Sequence, residues 1–205
     1  MNWNCKVFLF LLICLFSLIS CNRIFLTSYG IKGNIKSYSH EQLIQQAEKI
    51  GINDFPIYQV KPSLIAFLDS IVQVDSNNFS TAKSLFQPLQ IITFRKDGEL
   101  IGTIANCDAG GFPNLKWEHL LKKFPPKGIS FSTAIPIVKG TFFNHLKKIN
   151  ELEIKSGTAV TLIVYSHFMG RQNKRFLKKA QHYHKMYAPS TALAFANFDL
   201  DQLYE

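Results

Sequence analysis

Ala159-Val160-Thr161-Leu162-Ile163-Val164-Tyr165 is an unbroken run of apolar and β-branched residues, residues 169–187 follow as a long helical stretch, and Ala192-Leu193-Ala194-Phe195-Ala196-Asn197-Phe198 closes the unit. Two apolar runs joined by a helical crossover read as a βαβ unit whose strands lie parallel. Runs without polar alternation suit strands covered on both faces. The fold class expected is therefore α/β, a mixed sheet flanked by helices.

In the long helix, Phe176, Ala180, Tyr183 and Tyr187 read as the core face, while Arg171, Lys174, Arg175, Lys178, Lys179 and Lys185 form a basic face. That face suits an anionic lipid, glycan or protein partner; a solvated surface without a partner is the plainer alternative. His182 and His184 stand two apart, so on a helix they point to different faces and read as surface groups rather than metal ligands.

Outward from this unit, residues 89–94 and 100–105 are β-rich and are joined through Arg95-Lys96-Asp97-Gly98-Glu99, where Asp-Gly supplies the positive φ of a tight hairpin turn. Ser39-His40-Glu41-Gln42 is a capping box, after which Leu43, Ile44, Ala47 and Ile50 recur at helical spacing up to Gly51. A short strand is expected at 57–60, and helices at 62–72 and around 81–86. A helix is also expected over 115–124, with Asn114 as its cap and Pro125-Pro126 as its stop. Residues 129–138 are a strand candidate. Phe142, Leu146, Ile149 and Leu152 predict a further helix over 141–152, with Gly157 marking the exit.

The last unit resembles the thioredoxin-like core, in which a central strand ends in a Cys-x-x-Cys turn that opens a helix. Phe168-Met169-Gly170-Arg171-Gln172 stands at that turn, with Met169 and Gln172 in place of the two cysteines. Neither side chain forms a thiolate or a disulfide, so the family's redox activity does not carry over. Pro88-Leu89-Gln90-Ile91-Ile92-Thr93-Phe94 is similar to the family's proline-led strand, and residues 115–124 take the place of its closing helix. Here the hairpin half precedes the βαβ half. The resemblance thus implies either a permuted strand order or a related α/β layout.

At the N-terminus, Lys6 precedes an apolar run over 7–20 that is shorter than the roughly 20 residues a spanning helix needs, which is the layout of a cleaved signal. Leu18-Ile19-Ser20-Cys21 resembles the bacterial lipobox. The resemblance implies lipid on Cys21, cleavage before it and anchorage to an envelope membrane by two or three acyl chains, including palmitate. An ordinary secretory signal or an uncleaved anchor is the alternative. Asn22 is not a sorting aspartate, which favours the outer membrane, on its periplasmic side. The whole is similar to uncharacterised small lipoproteins of the Bacteroidota, a similarity that implies no activity. The expected organisation is a signal peptide over 1–20, a lipidated cysteine and tether over 21–38, and one α/β domain over 39–205.

Removing the signal takes one basic residue and leaves 22 Lys and Arg against 14 Asp and Glu, a net charge of +8. An exported chain so charged meets lipid head groups or acidic glycans rather than nucleic acid. Of four cysteines, Cys5 and Cys14 leave with the signal and Cys21 carries lipid, so Cys107 is the one thiol and no internal disulfide forms. Stability must then come from burial, for which 18 Phe are available.

Cys107 follows a strand and enters the Gly-rich loop Cys107-Asp108-Ala109-Gly110-Gly111, a place where a nucleophile can be presented; an idle thiol is the plainer reading. His167 lies past the C-terminal end of the central strand, where open α/β sheets bind ligands. No Walker loop, Gly-x-Gly-x-x-Gly, His-Glu-x-x-His or Gly-x-Ser-x-Gly is present, and no cofactor or metal is expected. Three functions follow. The first is a redox-inactive binding or accessory module. The second is a single-cysteine thiol or peroxide enzyme using Cys107 with His167 as helper. The third is a membrane-surface binder using the basic face.

Overall fold

The computed structural model describes residues 31, 38–74, 76, 79–109, 115–121 and 137–199. Its centre is a six-stranded mixed sheet. The strands are β1 (Ile57–Val60), β2 (Gln90–Phe94), β3 (Leu100–Ala105), β4 (Leu146–Lys148), β5 (Val160–Tyr165) and β6 (Ala192–Asn197), and their order across the sheet is β3-β2-β5-β6-β1-β4. β5, β6 and β1 run parallel, whereas β2 is antiparallel to both β5 and β3, and β4 is antiparallel to β1.

The helices are α1 (His40–Ile50), α2 (Ser63–Val74), α3 (Phe79–Leu85), α4 (Asn106–Ala109), α5 (Glu118–Leu121), α6 (Lys139–Phe143) and α7 (Gly170–Tyr187). Because strand side chains alternate between faces, register fixes which helix meets which residue. The row Ile104, Ile91, Ile163, Phe195, Ile57 crosses five strands on one face. That face packs on Leu43 and Ala47 of α1, Leu121 of α5, and Phe176, Leu177 and Ala180 of α7. On the other face Ile92, Phe94, Leu162, Val164, Ala194 and Val60 meet Leu64, Leu68 and Ile71 of α2, Leu85 of α3 and Phe142 of α6. The continuous apolar reading of β5 is explained by this double cover: all six of its residues are buried. Burying a side chain such as Phe176, its ring tilted against Trp117 with centroids 4.4 Å apart, contributes about 2–3 kcal/mol.

Local signals hold where they are chemically specific. Ser39 Oγ accepts from the Gln42 backbone, and the Gln42 side chain accepts from Ser39, closing the capping box that starts α1. Gly98 takes a positive φ in the β2–β3 hairpin.

The helix expected over 141–152 is instead α6 followed by a turn and β4. Leu146 packs on the α2 face of the sheet and Ile149 on the α1 face, which is strand alternation, while Leu152 is exposed. Spacings of three and four fit a helix; here the unpaired edge of β1 captured the segment. Residues 115–117 have no regular secondary structure and α5 is one turn long; residues 122–124 and the strand candidate at 129–136 lie outside the described residues, with Val138 bridging to Glu99. Of the segment read as a tether, Ile31 is buried and Tyr38 packs on the core. The signal peptide and the lipidated cysteine expected over 1–21 lie outside the described residues. Among the described residues no helix is long and apolar enough to cross a membrane.

Candidate functional site

The C-terminal ends of β5 and β6 meet at a buried carboxylate. Asp199, 1% exposed, follows β6 and turns back to β5. Its oxygens accept from the Ser166 hydroxyl, from the His167 backbone N–H at 2.8 Å, from the Phe168 N–H at 3.4 Å and from the Asn197 amide at 2.9 Å. Phe168 N–H also donates to Ser166 Oγ at 3.1 Å, and Phe198 N–H to the Tyr165 carbonyl at 2.8 Å. A short 3-10 turn, His167–Met169, is fastened in this way between β5 and α7.

The turn fixes His167, which is 9% exposed, with its ring edge-on to Tyr38 at 5.0 Å and to Tyr165 at 5.5 Å. Burial and, second, the Asp199 charge push both phenols above their ordinary range. The buried Tyr165, the partly buried Tyr38 and a carboxylate thus surround the histidine position the sequence singled out. The sequence reading missed Asp199, whose role depends on the register that brings the end of β6 beside the end of β5.

Gly170 then opens α7 with φ 48° and ψ −116°, a conformation that glycine adopts without a Cβ clash. The N-cap residue of α7, Met169, makes no side-chain capping bond. At the positions matching the family's two cysteines, Met169 is 4% and Gln172 2% exposed, so both are packed inward.

The basic face lies as expected, with Arg171, Lys174, Arg175, Lys178 and Lys185 exposed; Lys179 is partly covered and pairs with Glu118 of α5. Two assignments on this helix are corrected. His184 is buried, with Nε2 2.9 Å from Thr191 Oγ1. It lies four residues after Ala180 and therefore on the core face, where burial pushes its pKa below the ordinary imidazole value. Tyr187, in the last turn, is exposed.

Cys107 is exposed on α4, just past β3. Strand directions put it on the same sheet edge as His167, but β2 lies between β3 and β5, so the two are separated by about two strand spacings, or ~10 Å. Its neighbour is Asp108, whose carboxylate accepts from the Ala105 N–H at 2.9 Å. Partial burial and then the Asp108 charge push the thiol pKa up, opposite to the shift that activates a nucleophile.

Cavities lined by described residues border α1 and α7. One of about 390 Å³ lies between α1 and the start of α7, and is lined by His167, Lys49, Arg171, Asn173 and Lys174 among others. A second, of about 440 Å³, continues along α7 and shares Lys49, Ile50 and Lys174 with the first. A third, of about 240 Å³, lies away from His167, beside Tyr58, Lys139 and Phe143. Among the described residues no group of three or more His, Cys, Asp or Glu is arranged to hold a metal. In comparisons with known proteins, no family model, no curated protein and no solved structure matches this chain.

Proposed function

We propose that the chain is a lipid-anchored protein of the bacterial cell envelope whose α/β domain is a thioredoxin-like binding or accessory module in permuted strand order, without dithiol chemistry. The reading rests on the junction of β5 and α7. In the order β3-β2-β5-β6, a central strand has an antiparallel hairpin on one side and a parallel strand reached through a helix on the other, an arrangement that supports the resemblance to the thioredoxin-like layout with the hairpin half placed first. At the turn where that family carries its dithiol, the residues are the inward-packed Met169 and Gln172. The remaining thiol, Cys107, has a raised pKa and stands two strands away, which weighs against the single-cysteine enzyme.

Anchorage through Cys21 is tested by expressing the full chain in a bacterial host with labelled palmitate. Label in the wild-type chain and its partition into a detergent phase are expected, and Cys21→Ser is expected to abolish both. A wild-type chain that takes up no label and remains aqueous refutes the anchor.

A further inference from the structure

We propose that the groove between α1 and the first three turns of α7 binds a phosphate group carried on a hydroxylated body, the chemistry of a sugar phosphate or of a phospholipid headgroup. The inference deepens the binding-module reading and rests on it, but not on the lipid anchor.

Three independent observations meet in this groove. First, its lining is cationic: Lys49 comes from the last turn of α1, Arg171 and Lys174 from the first turns of α7, and among the described residues no Asp or Glu lines either of the two adjoining cavities. Second, the groove begins at Gly170, the start of an 18-residue helix whose N-cap residue, Met169, makes no side-chain capping bond. Unsatisfied N–H groups and the helix dipole favour an anion at such an end. Third, Asn173 lines the same cavity while only 3% exposed, and its Oδ1 has no hydrogen-bond partner. A buried amide without a partner costs free energy, so it marks a place where something else supplies the bond. A 180° turn about χ2 exchanges its oxygen and nitrogen, so this amide can accept from a ligand hydroxyl or donate to a phosphate oxygen.

Size sets the rest of the ligand. The cavity at Gly170 holds more than inorganic phosphate, and the second cavity carries the groove on past Lys174 to Lys178 and Gln181, over a floor of Ile50 and Leu177. From Gly170 to Gln181 the helix rises about 16 Å. The phosphate is placed at the α7 N-terminus between Lys49 and Lys174, with the body beside Asn173 and along the apolar floor.

The test is equilibrium dialysis of the full chain in detergent against three soluble probes: inorganic phosphate, glucose 6-phosphate, and glycerophosphoglycerol, the deacylated headgroup of phosphatidylglycerol. Saturable binding of glucose 6-phosphate or glycerophosphoglycerol is expected, tighter than that of inorganic phosphate, and whichever of the two binds better identifies the source. Lys49→Gln combined with Lys174→Gln should weaken it about tenfold or more, as removing two charges from an ionic site does. Asn173→Leu should weaken the hydroxylated probes more than inorganic phosphate, and Lys185→Gln, in the last turn of α7, should leave all three unchanged. Circular dichroism of each variant confirms that it is folded. No saturable binding of any probe, or binding indifferent to the Lys49 and Lys174 pair in a folded variant, overturns the proposal. The module reading would survive that failure, and it falls on a different result, an activated Cys107 thiolate.

Discussion

Replacing Asp199 by alanine should loosen the turn that presents His167 and destabilise the whole domain. The magnitude follows from the donors the carboxylate serves. The Phe168 N–H keeps Ser166 Oγ as an acceptor, and the Ser166 hydroxyl can rotate to another. The His167 N–H and the Asn197 amide lose their bonds of 2.8 and 2.9 Å at a site that is 1% exposed. A buried donor deprived of its acceptor costs about 1–3 kcal/mol, so two of them cost about 2–6 kcal/mol, a large part of the 5–15 kcal/mol typical of a domain. Asp199→Asn keeps one acceptor oxygen and should cost about half as much. Urea unfolding of wild type and both variants reads this directly, since with a slope of about 2 kcal/mol per M the alanine variant should shift its midpoint down by about 1–3 M. A midpoint within about 0.3 M of wild type would refute the reasoning, because the carboxylate would then not be holding the turn.

Two further outcomes follow from the same geometry. Burial lowers the pKa of His184 below its unfolded value of about 6.5. The unfolded chain therefore binds more protons below that pH, so stability should be full above pH 6.5 and fall as the pH drops toward 5. The burial-lowered His145 adds to the loss in the same sense. Thermal melts across pH 5–7.5 should show the loss, and His184→Gln should flatten it; an unchanged slope in that variant would count against a buried His184. Gly51 ends α1 at φ 69° with no atom within 4 Å of an added Cβ, so Gly51→Ala pays only the backbone term. It should lower stability by about 1 kcal/mol, or about 2–4 °C in melting temperature, and a variant as stable as wild type would argue against the left-handed cap.

The fold was legible where local chemistry is specific. The β5 run, the Asp97-Gly98 hairpin and the Ser39–Gln42 capping box all stand where their residues indicated. The α6–β4 segment was not legible, because Phe142, Leu146 and Ile149 satisfy a helical spacing while the pairing partner, β1, lies about 90 residues away in the chain. His184 was read as surface from its neighbour His182, although the Phe176–Ala180 face already pointed to its burial. Of the site, His167 was visible from its position after β5. Asp199, Tyr38 and Asn173 were not, since each acquires its role from elements distant in sequence: β6 returning to β5, the approach to α1 crossing His167, and α1 closing over α7.

The central claim, a module without thiol chemistry, is tested most directly by the rate of Cys107 alkylation by iodoacetamide against pH in the mature chain, where Cys107 is the one unmodified thiol expected. Burial and the Asp108 charge raise this thiol, so the rate should still be climbing above the ordinary thiol value of about 8.5. A rate already at its plateau near pH 7 would reveal an activated thiolate and contradict the account in favour of a Cys107 enzyme.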